Sequence, residues 1–323
     1  MEKEKRESAI GHVCMALACA IWGLMAPIGK DAMTHGIGGF EMVTFRAVGG
    51  ALCFWIASLF VKSEEVRHKD MLLFFFAGML SIVFNQCCYT IGLSITSPVN
   101  ASIMTTTMPI ITMILAAIFL HEPVTSKKVI GIFCGATGAF ILITGSTKNT
   151  GANEGVLTGD LLCLLAQCCF AIYLTIFKHL ISRYTVITCM KWMITYAAIV
   201  IMPFSFNRMS VLPWQEISGK TWAETAFVVV LGTFAAYILM MRGQKTLRPT
   251  VVSMYNYVQP TVACAVSVAA GLGVLGWGQA FAIVLVFSGV YLVTQSKSRK
   301  DLKIESRKSQ KKCRTNKITD IKI

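Results

Sequence analysis

The sequence predicts an all-α polytopic membrane protein, built from ten transmembrane helices as two inverted five-helix repeats with both termini cytoplasmic. Three observations predict it. Of 323 residues, 55% are hydrophobic and only 14% charged, where soluble domains carry roughly 25% charge. The charges are bunched, and the stretches between them match the roughly 20 apolar residues a helix needs to cross a bilayer core. Finally, the order of apolar segments repeats along the chain. A soluble enzyme and a single-span receptor are both excluded. So is a transmembrane β-barrel, whose strands alternate apolar and polar residues, because runs such as Leu72 to Met79 do not alternate.

Windows of about 19 residues place the spans at 10–28, 43–61, 71–93, 98–120, 129–146, 159–178, 187–206, 225–241, 250–271 and 279–295. The first follows basic residues, and Ala18-Cys19-Ala20 resembles a signal-peptide cleavage site. Its apolar run continues past Trp22 and has an internal counterpart, which favours a retained span over a cleaved leader. Connecting loops are short, so little chain is left for an extramembrane domain.

Orientation follows from the basic residues, which collect on the cytoplasmic side. With residues 1–9 inside, 24 of the 30 Lys and Arg fall on inner segments. Only Lys30, Lys148, Arg208 and Lys220 fall outside, while Arg46 and Lys191 lie about one turn inside helix ends. Residues 297–323 carry 11 basic and 3 acidic residues, so +8 of the net +14 belongs to this tail. It lacks apolar periodicity and interleaved aromatics, which reads as a disordered cytoplasmic tail facing lipid headgroups and not as a nucleic-acid-binding segment.

Twelve cysteines occur as singles and pairs such as Cys87-Cys88 and Cys168-Cys169, with no C-x-x-C spacing, and the five histidines form no ligand set. The cysteines read as small packing residues. No metal, cofactor or catalytic residue is expected.

Shifting residues 96–146 by 151 positions lays them on 247–297 without a gap, pairing Pro98 with Pro249, Ser102 with Ser253, Pro109 with Pro260, Ile132 with Ile283 and Gly138 with Gly289. A shift of 148 pairs Gly11 with Gly159, Leu17 with Leu165, Ala18 with Ala166, Ile28 with Ile176 and Lys30 with Lys178. The repeats span 10–146 and 159–296, joined by a linker at 147–158. Five helices per half is an odd number, so the second half enters the membrane from the opposite face. Such inverted repeats surround a midplane site in secondary transporters.

The Ile21-Trp22-Gly23 turn, Phe45-Arg46 opening the second span, and the stretch Pro109 to Glu122 before a Gly-rich fifth span resemble the EamA-type transporters of the drug/metabolite transporter superfamily. The resemblance covers roughly residues 10–296 and says nothing of substrate. One departure stands out. An acidic residue that such proteins often place after the fourth and ninth spans is present as Glu122, but its counterpart here is Gly273.

Polar side chains inside apolar spans are costly unless they face a cavity or a neighbouring helix. That criterion selects Trp22, Asn85, Gln86, Tyr89, Asn100, Thr105, Gln167, Tyr173, Tyr255, Asn256 and Gln259 as candidate substrate-binding residues. The alternative reading is interhelical hydrogen bonding, and for Trp22 it is an interfacial anchor. Arg46 and Lys191 have two readings, snorkelling, which is favoured, and anion binding. Glu122, beside Lys127 and Lys128, reads as orienting helix ends. Pro109 and Pro260 fall near mid-span and are expected to kink their helices, as candidate helix-break or gating positions. No Asp or Glu lies centrally in any span. The resemblance implies that a chain without an acid in its first span cannot use the mechanism of the superfamily's small proton-coupled cation exporters. Amides, phenols, indole and methionines suit neutral, zwitterionic or amphipathic solutes instead.

The expected function is export of small metabolites, such as amino acids, across the inner (plasma) membrane by alternating access, as a monomer or homodimer in the lipid bilayer. A membrane scaffold or lipid-modifying enzyme is the alternative, but no catalytic constellation is visible.

Overall fold

The computed structural model describes residues 2–95, 104–145, 157–269 and 277–296. Among the described residues every regular element is helical. Eight helical segments are long and apolar enough to cross a membrane, and Met108–Phe119 is a shorter apolar helix. The chain is a polytopic membrane protein. Asn100, residues 146–156 and the tail at 297–323 lie outside the described residues.

The first half comprises α1 (Glu2–Thr34), α2 (Gly39–Ser58), α3 (His68–Gly78), a π-helical turn (Met79–Phe84), α4 (Asn85–Ile95), α5 (Met108–Phe119) and α6 (Ser126–Gly145). The second comprises α7 (Leu157–Ile176), α8 (Lys178–Arg183), α9 (Val186–Ser210), α10 (Gly219–Val229), a second π turn (Val230–Ala235), α11 (Ala236–Thr246), α12 (Pro249–Met254), a 3-10 turn (Tyr255–Tyr257), α13 (Val258–Ala269) and α14 (Trp277–Thr294). Residues 2–9, expected as a separate N-terminal segment, are the first turns of α1. Their Glu and Lys residues are good helix formers and simply carry the helix past its apolar span.

Helix boundaries follow local chemistry. Gly36, at φ 105°, lets the chain turn after α1 in a conformation that a Cβ would strain. The Thr185 and Ser218 hydroxyls cap α9 and α10 by accepting from the Thr188 and Thr221 amides, satisfying donors that a helix start leaves open.

The offset of 151 reaches further than the sequence comparison carried it. It lays α3, the first π turn and α4 onto α10, the second π turn and α11, boundary for boundary. Packing obeys the same exchange. The most extensive contacts join α6 to α14, α2 to α9, α4 to α7, and α1 to α11, followed by α1 to α13 and α5 to α7. Exchanging the halves maps each of these pairs onto itself or onto another of the set, so the halves are related by an approximate two-fold axis.

Small residues set the closest approaches. A methyl group on Gly289 would lie 2.5 Å from the Gly131 carbonyl oxygen, and one on Gly138 would lie 2.6 Å from that of Ala282. Gly92 approaches the Gly159 carbonyl in the same way as Gly243 approaches that of Gly11. Backbones this close are how membrane helices gain packing without a hydrophobic drive between them. The bundle's perimeter is correspondingly apolar, with Phe60, Phe204 and Trp277 85%, 73% and 92% exposed.

The two ends of the bundle differ. At one end the α1–α2 and α9–α10 connections meet: Lys220 Nζ lies 2.6 Å from Asp31, and the Thr221 hydroxyl donates to the His35 carbonyl. That ammonium holds the Asp31 carboxyl below the usual range. At the other end, Arg183 pairs with Asp70 at 2.8 Å and the Tyr184 hydroxyl donates to the same carboxylate. Lys178 donates to the Leu247 carbonyl at 2.7 Å. Lys128 pairs with Glu122 at 2.6 Å, and the Thr250 hydroxyl donates to the same Glu122 oxygen, so this carboxylate ties α6 to α12. Arg242 reaches Glu7 and Arg248 reaches the Ser296 carbonyl, bringing both ends of the described chain to this end.

Candidate functional site: a polar seam on the axis between the halves

Two hydrogen bonds join residues that are repeat equivalents. Gln86 Nε2 donates to Tyr237 Oη at 2.7 Å, and Tyr257 Oη donates to the Thr106 carbonyl at 2.9 Å. In each pair the partners are 151 residues apart. Equivalent residues meet only where the two-fold axis passes, so these bonds locate it inside the bundle.

Both π turns end immediately before the helices that carry Gln86 and Tyr237. A π turn shifts the backbone ladder and is common at functional sites. Within the second π turn the Gly232 carbonyl accepts from Trp22 Nε1 at 2.9 Å. The Trp22 indole also lies edge-on to the Tyr237 ring, with centroids 6.0 Å apart. Within the same turn, Thr233 Oγ1 donates to the Val228 carbonyl five residues back and accepts from Arg46 Nε at 3.0 Å. Trp22, Arg46, Gln86, Thr233 and Tyr237 therefore form one cluster on the axis. Gln86 and Tyr237 are buried and Trp22 and Arg46 half-buried.

A second cluster lies where α1 meets the broken helix of α12 and α13. His12 Nδ1 and Tyr255 Oη are 2.8 Å apart, Gln259 Nε2 donates to Asn256 Oδ1 at 3.2 Å, and Asn256 Nδ2 contacts the Met108 sulfur. Thr105 lies half-buried in the equivalent stretch of the first half.

Other expected residues are engaged between helices. Asn85 Nδ2 donates to the Ala166 carbonyl at 2.9 Å. Tyr173 is fully buried, sits between Phe170 and Phe177, and donates to Gln244 Oε1 at 3.1 Å. Gln167 is buried on α7, and Tyr89 is half-buried one turn beyond Asn85.

The prolines act differently from the mid-span kinks the sequence suggests. Pro109 is the second residue of α5, after a turn at Thr106 and Thr107. Pro260 is the third residue of α13, after the 3-10 turn. Each helix is broken just before its proline, and proline opens the next helix, where its missing N–H needs no partner.

Sequence reasoning left His12, Thr233 and Tyr237 out of the site and held Arg46 between snorkelling and anion binding. Tyr237 is the repeat equivalent of Gln86, and Arg46 is a cation in an apolar span, so both carried a signal. Arg46 lies about two turns into its helix, deeper than the expected single turn, because α2 begins at Gly39. Lys191 is accounted for otherwise: its ammonium stands 4.6 Å from the centroid of the Trp55 ring, a cation–π contact.

A polytopic helical bundle with a polar seam between two like halves belongs to the carrier class of folds. The EamA-like transporter family model matches residues 9–144 and 157–295, and the chain belongs to that family. It is thus a multi-pass plasma-membrane transporter of small solutes, in a family of transporters and not of enzymes. It is similar to the uncharacterized transporter YyaM of Bacillus subtilis (strain 168), 25% identical over 71% of this chain and 75% of that one. The WAT1-related protein At3g53210 of Arabidopsis thaliana is 22% identical over 90% and 87%. The S-adenosylmethionine uptake transporter of Rickettsia bellii (strain RML369-C) is 21% identical over 74% and 79%. A solved crystal structure superposes with TM-score 0.72 at 15% identity, covering 90% of this chain and 96% of that one, a likeness of fold.

Proposed function

We propose that the protein is a secondary carrier that exports small metabolites, amino acids or other neutral, zwitterionic or amphipathic solutes, by alternating access. In this reading ten helices cross the membrane as two inverted repeats, 10–146 and 159–296, with both termini and the basic tail at 297–323 in the cytoplasm. The observation that carries it is the pair of axis-crossing hydrogen bonds, Gln86 to Tyr237 and Tyr257 to Thr106. A site on the axis is shared equally by both halves, so rocking one half against the other exposes it to either side. The helix breaks before Pro109 and Pro260 supply the hinges. Substrate contacts come from Trp22, Gln86, Thr105, Tyr255, Asn256 and Gln259, with Asn85, Tyr89, Gln167 and Tyr173 lining or supporting the same interior.

Reconstitution into liposomes tests this. Preloaded amino acids, S-adenosylmethionine and amphipathic metabolites should exchange faster than from equally loaded protein-free vesicles, and equal rates for the whole panel would overturn the carrier reading. Cysteine labelling in intact cells tests the topology: a probe at position 215 should react from outside and one at 312 only after permeabilisation, and the reverse pattern would invert the orientation.

A further inference from the structure

Arg46 is a half-buried cation about two turns inside α2. Among the described residues no carboxylate lies within 4.0 Å of it. Its one hydrogen bond there runs from Nε to Thr233, which fixes the plane of the guanidinium and leaves both Nη groups uncommitted. The Tyr237 phenol is close enough to interact with it electrostatically, and Tyr237 itself lies on the axis. A half-buried charge within an apolar span, with no carboxylate beside it, is expensive unless something compensates it. Snorkelling does not account for Arg46, because its hydrogen-bond partner among the described residues, Thr233, belongs to the mid-helix π turn of the opposite half.

We propose that Arg46 is the anion-recognition residue of the central site and that the transported solute presents a carboxylate to its two Nη groups. This rests on the carrier reading and narrows its substrate class, from neutral or zwitterionic solutes to those bearing a carboxylate. A guanidinium donates two parallel N–H bonds to a carboxylate. Held by Thr233 through Nε, it offers that two-pronged edge without having to reorganise when solute arrives. Trp22 and Tyr237 then flank the solute's body, and a cationic solute lacking the carboxylate is repelled.

The test uses full-length protein in proteoliposomes and matched probe sets built on alanine, methionine, glutamine and phenylalanine. Each set contains the amino acid, its amide and its decarboxylated amine, and phenyl phosphate is added as an alternative anion. In wild-type protein the acids should exchange and the amides and amines should remain at vesicle background. Arg46→Gln should lower exchange of the acids about 10- to 100-fold, the effect of losing a charge-assisted pair, and Arg46→Lys should recover part of it. Thr233→Val keeps the cation but frees its plane, and should raise KM for the acids more than it lowers kcat. Each variant is first checked for monodisperse elution. Amides or amines that exchange as fast as acids would overturn the inference while leaving the carrier intact. Unchanged exchange in Arg46→Gln would do the same, as would exchange of phenyl phosphate alone. No exchange of any probe by wild-type protein would overturn both.

Discussion

Replacing Glu122 by glutamine removes the carboxylate on which a buried ammonium depends. The Lys128 side chain is 1% exposed and that of Glu122 9%, with 2.6 Å between Nζ and Oε2. Glutamine preserves the shape and still accepts from the Thr250 hydroxyl, so the substitution isolates the charge. Stranding one member of a buried pair costs about 3–5 kcal/mol. The shift is about 2–4 °C per kcal/mol at 150–250 residues and shrinks for longer chains, so the melting temperature of the detergent-purified protein should fall by about 5 °C. Removing both charges in Glu122→Gln/Lys128→Met should restore most of that loss, because a buried pair barely outperforms an apolar replacement. The four-protein cycle should therefore give a coupling energy of at least about 3 kcal/mol, at the upper end of pairwise couplings. If the single and double variants melt at the wild-type temperature, the pair is solvated and does not hold α6 to α12.

Three further outcomes follow from the packing and the seam. Gly289→Leu drives a side chain into the Gly131 carbonyl and should prevent a monodisperse protein from forming, read by size-exclusion chromatography; normal elution would refute the close approach of α6 and α14. Tyr237→Phe deletes the acceptor for Gln86 and should cost about 1 kcal/mol of stability while lowering exchange in liposomes, and unaltered exchange would remove the axis bond from the transport cycle. Trp22→Phe keeps the ring contact with Tyr237 but loses the bond to Gly232, so transport should weaken without loss of folding, as measured by exchange rate against elution profile.

The helices were readable because each apolar run reports its own burial, and the repeat because prolines and glycines sit where the backbone requires them. Pro109 and Pro260 announced a break in each half, yet its form, a turn before the proline, depends on how Thr106 and Tyr257 meet across the axis. Asn85 and Gln86 look alike in sequence. Only the direction of each side chain separates the one that bonds a neighbouring backbone from the one on the axis. Thr233 carried no signal, since a threonine in an apolar span usually bonds its own helix, and it does so here while also receiving Arg46.

The axis bonds have a consequence for how such a chain differs from a pair of separate halves. In a dimer of identical five-helix chains, a residue on the dyad meets its own copy, glutamine against glutamine or tyrosine against tyrosine. Fusion into one polypeptide lets the two positions diverge, so an amide donor faces a phenol acceptor at Gln86 and Tyr237, and a phenol faces a backbone carbonyl at Tyr257 and Thr106. The same divergence leaves Glu122 and Lys128 tied to Thr250 at one end, with Gly273 and Gln279 as their sequence counterparts. The two ends are thus closed by different chemistry, and opening toward one side need not cost the same as opening toward the other.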